Sequence, residues 1–349
     1  MAQWARANEV NHDRYGSGAL INDFEAKVAE VLGKASALFL PSGVMAQLIA
    51  LQIWAERRRL PRIGLHATSH LLIHEEQAYQ ALFQLQAVTV GNRLRPILAS
   101  DLLAIAEPLS CLVTELPARE IGGQLPDWDE LQALKSAAKD TDTPLHMDGA
   151  RLWETRAFYQ RSYAQIAEGF ASVYVSAYKG LGGIAGALLA GDADFIEQAR
   201  VWRRRLGGTL IKQGPMVMSA AMGFDRRLAM LEACYQRALS AAGCLSTICG
   251  IRVLPRIPQV NMFHLYIDAD RQTLLEARDQ IARQEGYWLF NDVQACDVPG
   301  WSKTEYYVGD RLLAVSDEQL TALFRRLMGL VKEPPTHGTV GADLSANTP

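Results

Sequence analysis

Cysteine is scarce in this sequence: Cys111, Cys234, Cys244, Cys249 and Cys296 are the only five in 349 residues, and no two form a CxxC pair. An odd, scattered set excludes a disulfide framework and a zinc knuckle, and suits a reducing cytoplasm. No run of about 18 uncharged apolar residues occurs, and the opening stretch MAQWARANEVNHDRYG lacks the apolar core of a secretion signal. No membrane segment is expected. Charge of one sign is not in excess either, since the formal net charge is -3. Without a global field there is no nucleic-acid or membrane partner to expect, and any anion must be gripped by local groups. Also missing are an HExxH zinc motif, a GxGxxG after the first strand, and any internal repeat.

What is present is the composition of an ordinary globular chain, 49% apolar and 21% charged, long enough for about two domains. Helical spacing of Ile21, Phe24, Val28 and Leu32, with Asn22 and Glu25 as a capping box, predicts a helix over 21–33. ALFL at 37–40, then Pro41-Ser42-Gly43, leads into a second helix over 43–59. Short buried-type strands follow at 111–115, 144–148, 172–177 and 184–190, with helices at 127–139 and 151–168. This alternation indicates α/β architecture with a mainly parallel sheet covered on both faces. After a helical region over 192–243, strands at 251–255, 260–267, 287–290 and 305–308 and helices at 270–285 and 316–332 suggest a smaller α+β domain. The expected divisions are a segment over 1–20, a large domain over 21–240, a small one over 241–333 and a disordered tail over 334–349.

The strongest local signal is PLHMDGAR at 144–151, where a buried strand delivers Asp148 into a glycine turn. A carboxylate there points into the ligand crevice of a parallel sheet, or merely caps a helix. In SVYVSAYKGLGGIAG at 172–186, Lys179 stands alone between an apolar strand and Gly180, Gly182, Gly183 and Gly186. Such a lysine is desolvated and poised as a nucleophile, and the glycines allow a flat ligand to approach. An imine-forming lysine and a carboxylate for a pyridine nitrogen are what pyridoxal 5′-phosphate needs. Ser42 and Gly43 before a helix offer a phosphate cradle, or a plain cap. His66, His70 and His74 recur every four residues. HATSH suits a turn better than a metal-binding helix, so no metal is expected; stacking on a cofactor ring and coincidental spacing stay open. Arg203, Arg204 and Arg205 precede Gly207-Gly208, and either a solvated face or a phosphate contact from Arg205 or Lys212 fits them.

From about Asp13 to Lys332 the chain resembles the low-specificity L-threonine aldolase/β-eliminating lyase family. The matching stretches are RYGSG at 14–18, LFLPSGVMAQ at 38–47, TSH at 68–70, HMDGARL at 146–152, YKGLGG at 178–183, LAGDADFIEQAR at 189–200 and LGG at 206–208. The resemblance implies fold type I of the pyridoxal-phosphate enzymes, with a seven-stranded-type sheet, and an aldehyde-lyase that cleaves a β-hydroxy-α-amino acid to glycine and an aldehyde. It implies that Lys179 holds the cofactor covalently, Asp148 binds its pyridine nitrogen and His70 stacks on its ring. Ser42, Gly43 and the Val44 amide would hold the phosphate, and Arg151 would sit near O3′ and the substrate carboxylate. Tyr15 and Gly16 match a segment reaching toward the site. It further implies a homotetramer, a dimer of dimers with active sites at dimer interfaces.

The chain departs from the family pattern at instructive places. Ala118, in ELPAREIGG at 115–123, stands where a histidine proposed to handle the hydroxyl proton is usual. Tyr178 replaces a serine, Val44 a threonine, and Tyr307 aligns with an arginine that grips the substrate carboxylate. That carboxylate then rests on Arg151 alone or on Arg119, and His74 becomes the candidate base. Other reactions on the same cofactor, namely β-elimination, racemisation or transaldol transfer, stay open. A doubly wound nucleotide-binding protein with no covalent chemistry is the remote alternative.

Overall fold

A computed structural model describes residues 1–8, 10 and 13–332. The tail over 334–349 therefore lies outside the described residues. Seven strands form the large sheet: β1 (Ser36–Leu40), β2 (Arg62–His66), β3 (Gln86–Val90), β4 (Cys111–Glu115), β5 (Leu145–Gly149), β6 (Ser172–Ser176) and β7 (Ala187–Gly191). Their order is β1-β7-β6-β5-β4-β2-β3. Only β7 runs against its neighbours, pairing antiparallel with both β1 and β6. Alternate residues of one strand enter different cores: Ala37 and Phe39 pack with the helix Ala19–Val31, whereas Leu38 and Leu40 pack with the helix Gly43–Arg58. Burial on both faces explains why these strands read as unbroken apolar runs.

The second sheet is antiparallel throughout, with β8 (Ile251–Leu254), β9 (Met262–Ile267), β10 (Gln294–Ala295) and β11 (Ser302–Tyr307) in the order β10-β11-β9-β8. Along β11, Ser302, Thr304 and Tyr306 are buried while Lys303, Glu305 and Tyr307 alternate to the other face. The helix Gly214–Leu245 serves both cores, with Val217, Ala220 and Phe224 in the large one and Ala238, Ala241 and Leu245 in the small one. A division at 240 thus falls inside a continuous helix.

Several local expectations need correction. β2 and β3 were not foreseen, because RIGLH has polar residues at both ends and a glycine at its centre, and QAVTV leaves Gln86 and Thr89 exposed. Residues 287–290 form no strand; the small sheet takes its edge from β10 instead. The helix expected over 151–168 breaks into Leu152–Glu154, Arg156–Tyr159 and Tyr163–Ala167, since Gln160 turns left-handed and Ser162 caps a fresh start. The region 192–243 likewise divides into Ala193–Arg205 and Gly214–Leu245. Asn22 and Glu25 cap nothing, because the first long helix begins earlier, at Ala19 after Gly18. Glu25 instead turns inward and accepts the Phe39 N–H at 2.7 Å. The cap expected at Ser316 is present, its hydroxyl accepting the Gln319 N–H at 3.2 Å.

Candidate active site

The carboxyl ends of the parallel strands open into a cleft. Lys179, Asp148, His70, Arg151 and Arg119 line it, together with Gly43 and Val44. Asp148 stands at the end of β5 and the others come from segments that follow strands, which is where an open parallel sheet splays its connections apart.

Asp148 is 4% exposed at the end of β5. Its Oδ1 accepts the Ala150 N–H at 3.0 Å, and its Oδ2 accepts the Gln47 side-chain N–H at 2.5 Å. Behind Gln47 stands a buried relay. Gln47 Oε1 lies 2.6 Å from His146 Nε2, His146 Nδ1 lies 2.7 Å from Ser172 Oγ, and the Trp54 indole donates to that same Oγ at 2.8 Å. With Gln47 spending its N–H on Asp148, its carbonyl must accept, so His146 carries its proton on Nε2 and Ser172 donates to Nδ1. Burial pushes the His146 imidazole down to about 3, so it is neutral. Every donor in the chain therefore points toward the carboxylate.

Burial also raises the Asp148 carboxyl, against the attraction of Lys179. Among the described residues no cation lies within ion-pair distance of Asp148. A buried carboxylate held by two neutral donors suits a cationic ring nitrogen as its partner. Burial, then Arg151, depresses the Lys179 amine, and Asp148 opposes them. A depressed amine is the nucleophilic form. Gly43 opens the helix Gly43–Arg58, and a Cβ there would overlap the Tyr174 hydroxyl. This leaves bare amides at a positive helix end, as a phosphate requires. Ser42 accepts the Met45 N–H through Oγ at 3.2 Å and so acts as the N-cap. The pyridoxal-phosphate requirements of amine, acid and phosphate cradle are thus all met by residues in or beside one cleft.

His70 lines the cleft, with its backbone N–H donating to Glu115 Oε1 at 2.7 Å and its ring Nδ1 2.9 Å from Glu75 Oε1. His74 lies one turn on, its ring centre 5.0 Å from that of His70 and its Nε2 2.9 Å from Glu120 Oε1. His66 is apart from both, ending β2 between Thr68 Oγ1 and the Asn92 carbonyl. No group of three or more metal-ligating side chains occurs among the described residues.

Other expected site residues sit elsewhere. Lys212 does not line the cleft, because its Nζ is taken by the Asp13 carbonyl at 2.6 Å while the Asp13 carboxylate caps the N–H groups of Gln213 and Gly214. Arg205 stacks on Trp202 at 4.6 Å, away from any phosphate cradle. Tyr15 is half exposed and gives its N–H to Ile211, outside its own chain's cleft. Tyr307 reaches Glu154 Oε1 through its hydroxyl at 3.4 Å.

Gln47, Glu115, Tyr174, Glu154 and Glu305 were missed by sequence reasoning. Burial and the Asp148 charge push Glu115 up to about 8. Glu154, 2% exposed, is pushed by burial up to about 7 against Arg151 and Lys179, and its Oε2 has no partner. A carboxyl held above its ordinary 4.5 keeps its proton on folding, so below 4.5 it costs nothing and the native state loses stability as pH rises through 7. Glu154→Gln is accordingly expected to gain about 2–3 kcal/mol on wild type between pH 5 and pH 8. Urea unfolding at the two pH values, without cofactor, measures this, and parallel curves for the two proteins would refute it.

The profile of the beta-eliminating lyase family matches residues 1–270. The chain belongs to that family. A candidate L-allo-threonine aldolase from Listeria monocytogenes is 38% identical in sequence, with a TM-score of 0.89 over 94% of this chain and 92% of that one. A probable low-specificity L-threonine aldolase of Arabidopsis thaliana is 28% identical over 277 residues, 76% of this chain and 78% of its own length. An uncharacterised Caenorhabditis elegans protein is also 28% identical, over 243 residues; the match covers 67% of this chain and 58% of that protein's length. The expected fold, type I of the pyridoxal-phosphate enzymes, is the one observed. No helix among the described residues is long and apolar enough to cross a membrane.

Proposed function

We propose that this protein is a pyridoxal-phosphate-dependent aldehyde-lyase that cleaves a β-hydroxy-α-amino acid of the threonine kind to glycine and an aldehyde. The carrying observation is that Lys179 and Asp148 line one cleft with the amide-bearing helix start at Gly43. The cofactor, when bound, supplies an electron-accepting ring conjugated to the substrate Cα. Gly43 and Val44 would hold its phosphate, Asp148 its pyridine nitrogen and Lys179 its aldehyde carbon, with His70 covering the ring face. A nucleotide-binding role has no support left, since the cleft has the lysine and acid that covalent chemistry needs.

On the substrate side, Arg151 and Arg119 would bind the α-carboxylate and so orient the substrate in the cleft. His74 takes the β-hydroxyl proton, and Glu120 orients it through the 2.9 Å contact to Nε2. Lys179 would deliver a proton to the glycine Cα in its ammonium form, and the proton taken by His74 would restore that form through solvent in the cleft. His74→Ala is expected to lower kcat by about 10²-fold with little change in KM; full turnover by that variant removes His74 as the base. Incubation with L-threonine, L-allo-threonine and phenylserine, assayed for glycine and for ketoacid, tests the reaction itself. Ketoacid without glycine would place the enzyme among β-eliminating catalysts instead.

The same reading includes a homotetramer with its sites at dimer interfaces. In support, Val44 and Tyr178 line the cleft yet are exposed in the single chain, so a second copy could cover them. All five cysteines are free, which suits the cytoplasm.

A further inference from the structure

Arg119 and Arg151, which the functional reading assigns to the substrate carboxylate, already share a carboxylate of the protein's own. Glu305 projects from β11 of the small sheet between two loops of the large one. Its Oε2 accepts the Arg119 Nε–H at 2.6 Å, and its Oε1 stands at the long distance of 3.5 Å from Arg151 Nη2. Arg119 is further engaged by Glu120 at 2.8 Å. Arg151 is poorly served: its side chain is 12% exposed, its Nε is buried without a partner, and the long contact to Glu305 is its one ion pair among the described residues. A guanidinium presents five donors in a fork matched to a carboxylate. One so enclosed and so little used is open to a better-placed anion than Glu305.

We infer that Glu305 is a specificity-determining residue that fills the anion subsite between Arg119 and Arg151 and yields it to the substrate α-carboxylate. Two carboxylates cannot both face Arg151 closely without repulsion. Binding therefore draws Arg151 off Glu305 and onto the ligand, leaving Glu305 to Arg119 alone. A ligand without an α-carboxylate gains nothing from displacing Glu305, so the residue raises selectivity at some cost in affinity. Because β11 belongs to the small sheet and both arginines to the large one, the exchange also reports ligand arrival across the seam between the two sheets.

This inference rests on the proposed substrate class, and glycine, the expected product, is the probe. Calorimetric titration of the cofactor-loaded enzyme with glycine and with glycinamide, for wild type, Glu305→Gln and Glu305→Ala, is the test. Both variants are expected to bind glycine about 5- to 10-fold more tightly than wild type, with glycinamide changed less than about 2-fold. Weaker glycine binding in both variants would mean that Glu305 serves only to hold the arginines in place, and overturns the inference. Equal shifts for glycine and glycinamide, or none, overturn it as well. Thermal midpoints near wild type confirm that the variants fold. Failure of the functional reading shows separately, as wild-type enzyme that forms no glycine from the three β-hydroxy amino acids.

Discussion

Lys179→Ala is expected to abolish covalent capture of pyridoxal phosphate and to lower turnover by about 10³-fold or more, with the fold intact. The amine has two tasks in the proposed reaction, holding the cofactor and returning a proton to the glycine Cα, and alanine performs neither. Lys179 is only partly buried, and the segment around it is held by backbone contacts. Ala177 bonds to Gly186 at 3.0 Å, Gly182 to Lys179 at 2.9 Å and Gly183 to Ala177 at 2.9 Å. Arg227 also grips the Gly180 carbonyl at 2.9 Å. Loss of the side chain therefore leaves the loop standing. Borohydride reduction followed by peptide mass analysis reads the result: wild type should gain cofactor mass at Lys179, and the variant should gain none. Cofactor mass on another lysine in wild type would displace Lys179 from the site.

Asp148→Asn is expected to cost about 10²–10³-fold in kcat, or about 3–4 kcal/mol of transition-state stabilisation. Asparagine preserves the shape but brings no charge to balance a protonated pyridine nitrogen. It also sets one of its own atoms against the relay. Gln47 donates its N–H to Asp148 Oδ2, and that direction sets the rest of the relay, with His146 giving its Nε2–H to the Gln47 carbonyl. An asparagine amide facing Gln47 meets donor with donor while the relay keeps that direction, and an NH2 turned toward Ala150 meets another donor N–H. Either a donor pair clashes or the whole relay must reverse its hydrogens, which costs about 1–3 kcal/mol of stability. Kinetics and urea unfolding should thus both register this substitution, whereas a mere helix cap would register only in stability. Unchanged kcat would return Asp148 to that lesser role.

The residues at the centre of the site were legible because their surroundings are local in sequence. An apolar strand running into Asp148-Gly149, and another running into Lys179 and its glycines, mark the end of β5 and the loop after β6. Gly43 was legible for the same reason, as the first residue of a helix after β1. Failures came where a side chain had partners far along the chain. Lys212 looked free beside glycines, yet Asp13 lies 199 positions away and claims it. Asn22 and Glu25 fit a capping box by spacing, but the pairing of β1 with the helix before it offered Glu25 the Phe39 amide instead. β2 and β3 were invisible because β3 is an edge strand with Gln86 and Thr89 exposed, and β2 is a short run with polar ends whose burial the sheet order supplies.

The sequence by itself determined the alternation of strands and helices, the amine, its acid and the bare amides of the phosphate cradle. Each depends on residues within a few positions of one another, and local chemistry is written in local order. The tertiary structure alone decided which carboxylates and amides stand around them. Gln47 meets Asp148 across 101 positions, Glu305 meets Arg119 across 186, and Tyr307 meets Glu154 across 153. Such partners are chosen by strand order and by the packing of the small sheet on the large one, and no spacing in the chain records that choice.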